Sequence, residues 1–250
     1  MQDTYIGDEG KGFPLVLVHG FLGSSKMWEP QVNFFKDRFR VITPDLPGFG
    51  KSNEVKSHNS IQSIANLLLN CLEEKKIDKF YLLGHSMGGM IVQEMAKKDG
   101  NKILKLVCYS TGPRGEMPGR FETVDQSREN LKKKGLEITA KNIAKTWFIK
   151  GEDAKYFDIC IDAGKQTSME TADNSLVAIK NWNGVDTLKN IKNETLIVWG
   201  DQDKSYNLEQ IQTLETNIEN SKLIIFKNCA HNVHLEQTDQ FNKTIKDFLL

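Results

Sequence analysis

Residues 84–89, GHSMGG, place Ser86 between glycines two positions before and two positions after it. The apolar run FYLL precedes this segment, and the helix-like stretch MIVQEMAKK follows it. A G-x-S-x-G pattern between a strand and a helix is typical of a nucleophile elbow, a sharp turn that side chains at the glycine positions would block. A serine hydroxyl is a poor nucleophile at neutral pH and needs a base within hydrogen-bonding reach. The pattern therefore predicts nucleophilic catalysis by Ser86.

Two of the chain's five histidines, His231 and His234, lie three positions apart in CAHNVHLE, residues 229–236. Such a pair could bind a metal, supply a catalytic base, or only pack. A metal would require a third ligand and, for zinc, a tetrahedral set. The pair alone leaves these interpretations open.

The elements that must position these residues are visible as short apolar runs bounded by Gly, Pro or Asp. They cover residues 14–20, 39–45, 80–86, 103–110, 195–200 and 222–228. Continuous runs of Val, Ile and Leu are typical of strands buried on both faces, as in a parallel sheet. Helix-like stretches lie between them at 60–76, 87–99, 207–217 and 238–249. Alternating strands and helices predict an α/β fold with a doubly wound, mostly parallel sheet.

The alternation of strands and helices stops in residues 112–187. A Pro/Gly loop, TGPRGEMPGR, opens this region, and helical periodicity without a strand run follows. The sequence thus predicts a core of residues 1–111 and 188–250 and a helical cap of residues 112–187 over the carboxyl edge of the sheet. Apolar candidates for the inner face of the cap, each expected to pack more often than to contact a ligand, are Met117, Phe121, Trp147, Phe148, Met169 and Trp182.

Several segments together resemble the alpha/beta-hydrolases over nearly the whole chain. The first buried strand ends in HGFLG at 19–23, which is similar to the family's HG loop, and PDLPGFGKS at 44–52 resembles its D-x-x-G-x-G-x-S loop. The resemblance implies that the backbone amides of Phe21 and Met87 form the oxyanion hole around Ser86. The N-terminus is short and leaves room before residue 14 for one weak strand in place of the usual hairpin.

The resemblance also implies a carboxylate after a late strand, because the order of the triad in this fold is Ser, Asp or Glu, His. The run TLIVWG is followed by Asp201 and Asp203, and the family pattern G-x-x-D selects Asp203. Asp201 is then expected to be a turn residue that bonds its own backbone. Asn207 stands where the family usually has a proline.

The C-terminal segment resembles the family pattern G-H-x-x-x-x-E-x-P-x-x-F-N when it is counted from His231. Glu236, Phe241 and Asn242 then fall five, ten and eleven residues later, whereas His234 fits no such anchor. The resemblance therefore implies that His231 is the general base. Ala230 replaces the usual Gly and Thr238 the usual Pro.

The resemblance to this family implies a serine hydrolase that cleaves a small carboxylic ester or lactone without a metal or other cofactor. A carbon–carbon bond hydrolase acting on vinylogous diketones is an alternative. Members of that group commonly carry Asn before the serine and Trp after the histidine, where this chain has His85 and Asn232. A slow-turnover receptor for small molecules is another alternative, whereas Ser86 argues against haloalkane dehalogenases, whose nucleophile is Asp. His85 could contact a bound group or pack beside the elbow, and the candidate substrate-binding residues are His85, Leu22, Trp147 and Phe148.

The bulk composition gives no reason to expect a macromolecular partner. The chain has 33 basic residues (Lys and Arg) and 33 acidic residues (Asp and Glu), so no net field attracts nucleic acid or anionic lipid. The lysine run 132–134 is interpreted as a solvated helix face. The first twelve residues lack the regions of a signal peptide, and no apolar run approaches the roughly 18 residues that cross a bilayer. The four cysteines are widely spaced and form no CxxC, as expected for reduced thiols. We expect a cytoplasmic monomer or homodimer that acts on a small molecule.

Overall fold

The computed structural model describes residues 4–250, and each of the six apolar runs forms a strand. A short first strand, β1 (Ile6–Glu9), precedes them. The runs form β2 (Phe13–Val18), β3 (Phe39–Pro44), β4 (Phe80–His85), β5 (Ile103–Tyr109), β6 (Glu194–Gly200) and β7 (Ser221–Phe226). The sheet order is β1-β3-β2-β4-β5-β6-β7, and only β1 runs antiparallel to its neighbour. The predicted α/β fold with a mostly parallel sheet is confirmed.

Helices cover both faces of this sheet. Four of them correspond to the predicted stretches: α2 (Ile61–Glu74), α3 (Met87–Asp99), α7 (Leu208–Asn217) and α9 (Thr238–Leu249). The sequence did not predict two short helices, α1 (Glu29–Phe35) and α8 (Val233–Glu236). The carboxyl ends of β2, β4, β5, β6 and β7 meet at one edge of the sheet, where the loops that follow them carry the candidate catalytic residues.

The region between β5 and β6 is helical. It contains α4 (Val124–Lys145), which is kinked at Gly135, α5 (Phe157–Lys165) and α6 (Met169–Asn181). Trp182, at the end of this region, donates from Nε1 to Glu94 Oε1 over 2.9 Å and so attaches the region to α3.

Most of the predicted inner-face residues of this region are covered. Trp147, Phe148 and Trp182 are buried, and Met117 and Phe121 are partly buried against the core. The prediction for Met169 is wrong, because its side chain is 43% exposed. Met169 lies in the first turn of α6, ahead of the buried face that begins at Thr171.

Two further features concern the described residues as a whole. No helix within residues 4–250 is long and apolar enough to span a bilayer. None of the cysteines in this part of the chain forms a disulfide.

Candidate active site

Ser86 occupies a strained turn between β4, which ends at His85, and α3, which begins at Met87. Its backbone has φ 57° and ψ −118°, a conformation that non-glycine residues rarely adopt outside functional sites. A Cβ at Gly84 would lie 2.3 Å from the carbonyl oxygen of Gly88, so the first motif glycine is required by close backbone packing. The Ser86 amide donates to the Tyr109 carbonyl, 3.0 Å away. The turn therefore holds the serine at the carboxyl edge of the sheet.

A histidine and an aspartate from two other loops form a buried pair in the same site. His231 Nδ1 lies 2.9 Å from Asp203 Oδ2, and the side chains are 2% and 0% exposed. The other carboxylate oxygen of Asp203, Oδ1, accepts from the backbone amides of Ser205 at 2.7 Å and Tyr206 at 3.3 Å. Both carboxylate oxygens of Asp203 are thus held by hydrogen bonds. Asp203 can orient the His231 ring so that Nε2 is available as a base.

Asp201, the other carboxylate after β6, lies away from the histidine. Its Oδ2 is 3.6 Å from Nζ of Lys227, whose side chain is 76% exposed. The expected bond from the Asp201 side chain to its own backbone is not present, and its buried Oδ1 has no hydrogen-bond partner. The structure therefore brings Asp203, and not Asp201, to His231.

The second histidine of the pair, His234, lies on α8 with its ring inside the core. The ring packs against Trp28 at a centroid distance of 4.7 Å, and Nδ1 lies 2.9 Å from the Tyr109 hydroxyl. Burial, with a smaller effect from the charge of His231, lowers the pKa of His234 to about 3, so its ring is neutral. Within residues 4–250, no group of three or more His, Cys, Asp or Glu side chains could hold a metal ion.

His85, the residue before the serine, points toward the same buried cluster. Its ring lies 4.6 Å from the rings of both Tyr109 and His231, and its Nε2 is 3.3 Å from the His231 carbonyl oxygen. Burial, followed by the nearby His231, lowers the pKa of His85 well below its usual value. In these contacts His85 packs behind the base. Its contact with a bound group, the other role considered for it, stays a prediction.

The loop after β2 comes close to the nucleophile. A Cβ on Gly20 would lie 2.9 Å from Ser86 Cβ, so only glycine allows this approach. His19 fixes the loop: Nδ1 is 2.8 Å from the Gly20 carbonyl, and Nε2 accepts from the Leu46 amide at 2.9 Å. The Phe21 backbone follows directly, and Met87 begins α3, whose N-terminus favours negative charge. Both amides are thus placed in segments that adjoin Ser86.

Contacts from the helical region complete the surroundings of His231. The Trp147 ring lies 6.2 Å from the His231 ring, and the Trp147 carbonyl accepts from the Asn232 amide at 3.0 Å. Phe148 and Leu22 are also buried. Glu236 joins the histidine loop to this region, because its carboxylate accepts from the amides of Ala230 at 2.6 Å and Ile149 at 2.7 Å.

Tyr206 is a member of the site that no sequence motif indicated. Its ring stacks on the His231 ring with centroids 5.9 Å apart and planes 18° apart, and the side chain is buried. Its only signal in the sequence is its position three residues after Asp203. Next to it, Asn207 caps α7 and donates to the Pro118 carbonyl at 3.0 Å, so the loop is fixed without the usual proline.

Comparisons with known proteins match most or nearly all of the chain. A family model described as the alpha/beta hydrolase fold matches residues 14–238. A pimeloyl-[acyl-carrier protein] methyl ester esterase of Legionella pneumophila (strain Corby) is 29% identical over 99% of this chain and 100% of its own length. A 2-hydroxy-6-oxononadienedioate/2-hydroxy-6-oxononatrienedioate hydrolase of Pseudomonas putida is 31% identical over 99% of this chain and 92% of its own.

Solved structures agree with this fold. An esterase from Exiguobacterium antarcticum superimposes with a TM-score of 0.92 at 24% identity, covering 98% of this chain and 94% of the other. An enol-lactonase from Burkholderia xenovorans LB400 gives 0.89 at 22% identity, with coverages of 98% and 96%. At these identities the likeness establishes the fold alone.

Proposed function

Since this chain belongs to the alpha/beta-hydrolase fold family and is a hydrolase, we propose that it cleaves a small carboxylic ester or lactone through an acyl-enzyme. The observation that carries the proposal is the buried 2.9 Å contact between His231 Nδ1 and Asp203 Oδ2, in a site whose strained turn presents Ser86. A base oriented by a carboxylate beside a serine is the arrangement that acyl transfer requires.

In the proposed mechanism the Ser86 hydroxyl attacks the carbonyl carbon while His231 Nε2 takes its proton. The carbonyl oxygen becomes an oxyanion and is bound by the Phe21 and Met87 amides, each worth about 3–4 kcal/mol in such sites. The imidazolium is stabilised by Asp203 and then protonates the leaving oxygen as the bond to the acyl carbon breaks. Water, activated by the same imidazole, hydrolyses the ester on Ser86.

The buried apolar side chains around the site favour a small substrate. Leu22, Trp147 and Phe148 are each at most 5% exposed, and we assign them to the walls that contact the acyl or alcohol portion. The methyl ester esterase of Legionella, similar along its whole length, supports an ester of a small alcohol.

Carbon–carbon bond hydrolysis is the second candidate, and the observation in its favour is the 31% identical relative from Pseudomonas. His85 and Asn232 stand where members of that group commonly carry Asn and Trp, and both side chains are buried. Turnover of a vinylogous diketone at a rate above that of esters would favour this candidate.

The test uses p-nitrophenyl acetate and butyrate with the wild-type chain and Ser86→Ala. We expect the replacement to lower kcat by at least about 10³-fold, as loss of the nucleophile does in serine hydrolases. Comparable turnover by Ser86→Ala would refute the acyl-enzyme. Tight binding of a small ligand with negligible turnover by the wild-type chain would instead support a receptor.

A further inference from the structure

The hydroxyl of Tyr206 lies at the reacting centre. It is close enough to the Ser86 and Thr111 side chains for hydrogen bonding with both to act on its pKa, and the Tyr206 ring stacks on His231. The backbone around it is fixed, because its amide donates to Asp203 Oδ1 and its carbonyl accepts from Trp199 Nε1 at 3.1 Å. The hydroxyl is therefore held between the nucleophile and the base.

The order of the strands places this hydroxyl across Ser86 from the oxyanion loop. The strand that bears Ser86, β4, has β2 on one side and β5, followed by β6, on the other. The loop with Phe21 follows β2, whereas Thr111 follows β5 and Tyr206 follows β6. When the carbonyl oxygen of a substrate points to the Phe21 amide, another substituent of the acyl carbon must face the Tyr206 side.

The position of His231 identifies that substituent. His231 has to protonate the leaving oxygen, so this oxygen must lie beside the imidazole. The ring of Tyr206 is parallel to that imidazole, and its hydroxyl reaches Ser86 from the same side. The leaving oxygen is thus the substrate atom closest to the phenol.

We propose that the Tyr206 hydroxyl is a further catalytic group of this site, which donates a hydrogen bond to the leaving oxygen of the ester or lactone. The inference rests on the proposed ester hydrolysis and extends it. The bond between the acyl carbon and the leaving oxygen breaks, its electron pair moves to that oxygen, and the proton it gains comes from His231 Nε2. Tyr206 keeps its own proton, and in the second half-reaction its hydroxyl faces the attacking water.

The electrostatic surroundings agree with a neutral donor. Burial raises the pKa of the Tyr206 phenol well above its usual range, so the proton stays in place. Hydrogen bonding to Ser86 lowers this pKa, the Asp203 carboxylate raises it further, and the nearby Arg120 guanidinium lowers it by less.

The role predicts a dependence on the leaving group, because an alkoxide develops more charge than a p-nitrophenolate and gains more from a donor. The experiment measures kcat/KM of Tyr206→Phe on methyl butyrate and p-nitrophenyl butyrate, two esters of one acid. Loss of a hydrogen bond to a charged atom, about 1.5–3 kcal/mol, corresponds to roughly a 10–150-fold decrease. We expect that decrease for the methyl ester and less than about a threefold change for the aryl ester.

The phenylalanine variant retains the ring that stacks on His231, so it tests the effect of the hydroxyl separately from the packing of the ring. Tyr156→Phe is the matched control, since Tyr156 is a partly buried tyrosine beside Lys155, and both esters should be unaffected by it. Thermal unfolding of each variant checks the fold.

Equal losses on both esters would show that the hydroxyl only positions Ser86, and an unchanged rate on the methyl ester would show that it has no role; either overturns the inference. Ser86→Ala is measured on the same two esters. If that variant retains turnover, the proposed function itself fails, which is a separate outcome.

Discussion

Replacement of Asp203 by asparagine is expected to invert the tautomer of His231, and the contacts of Asp203 explain why. The amides of Ser205 and Tyr206 both point at Oδ1, so the new side chain must place its carbonyl oxygen there. Its NH₂ group then faces His231 Nδ1, which has to accept. The imidazole proton moves to Nε2, which can no longer take the proton of Ser86.

The magnitude follows from the same contacts. Turning the amide around would direct two backbone donors at an NH₂ group and cost about 3 kcal/mol. The turned orientation, in which the amide oxygen faces His231 Nδ1 and Nε2 can still act as the base, would therefore be populated roughly 1 time in 150. Loss of the charge that stabilises the imidazolium reduces the rate further, so we expect kcat to fall by about 10⁴-fold, as in serine hydrolases with this change.

The assay is steady-state hydrolysis of p-nitrophenyl butyrate, with circular dichroism to establish that the variant is folded. Asp201→Asn is the matched control, because its partner Lys227 is largely exposed and such pairs contribute about 0–1 kcal/mol. Its kcat should stay within about twofold of the wild-type value. Retention of more than a tenth of the activity by Asp203→Asn, or an equal loss in Asp201→Asn, would refute the assignment.

Two further predictions concern the loop around the base. Glu236→Gln leaves one amide donor facing the amide of Ala230 or Ile149. The free energy of unfolding, measured in urea, should therefore fall by about 1–2 kcal/mol, and kcat should also fall. An unchanged urea midpoint would contradict a stabilising role for these two contacts of Glu236. The pKa of His234 is lowered to about 3, against about 6.5 when unfolded, so the unfolded chain binds more protons below pH 6.5 and stability is lost as the pH falls. Between pH 7.5 and 5.0 this histidine should account for a loss of about 2 kcal/mol in the free energy of unfolding. In His234→Gln the pH dependence of that free energy should be smaller by the same amount, and an unchanged dependence would contradict a neutral buried ring.

The positions of the strands could be predicted because their residue types suit few other secondary structures. Runs such as LVLV in β2 and LIV in β6 are apolar on both faces, which suits only strands covered on both sides. The helix α1 was not predicted, because its seven residues contain a proline near the start and only two buried aliphatic or aromatic side chains, Val32 and Phe35. Short elements of this kind are determined by tertiary packing more than by periodicity.

Some residues of the candidate site could likewise be predicted from the sequence, and others could not. Ser86, Asp203 and His231 lie in motifs with fixed spacing, so a resemblance could identify them one by one. Tyr206 belongs to no such motif, since its contact with Ser86 joins loops that follow β4 and β6, far apart in the chain. The environment of His234 depends on Trp28, the residue before the unpredicted α1, so its burial could not be deduced either.

Ser86 is the proposed nucleophile, and its reactivity can be measured directly. The intact protein is incubated with a fluorophosphonate, which labels only activated serines, and the adduct is located by mass spectrometry of the peptides. We predict one adduct on Ser86 in the wild-type chain, none in Ser86→Ala, and strongly slowed labelling in His231→Ala. Labelling of another residue, or labelling of Ser86 at an unchanged rate without His231, would contradict the proposal that this histidine activates this serine.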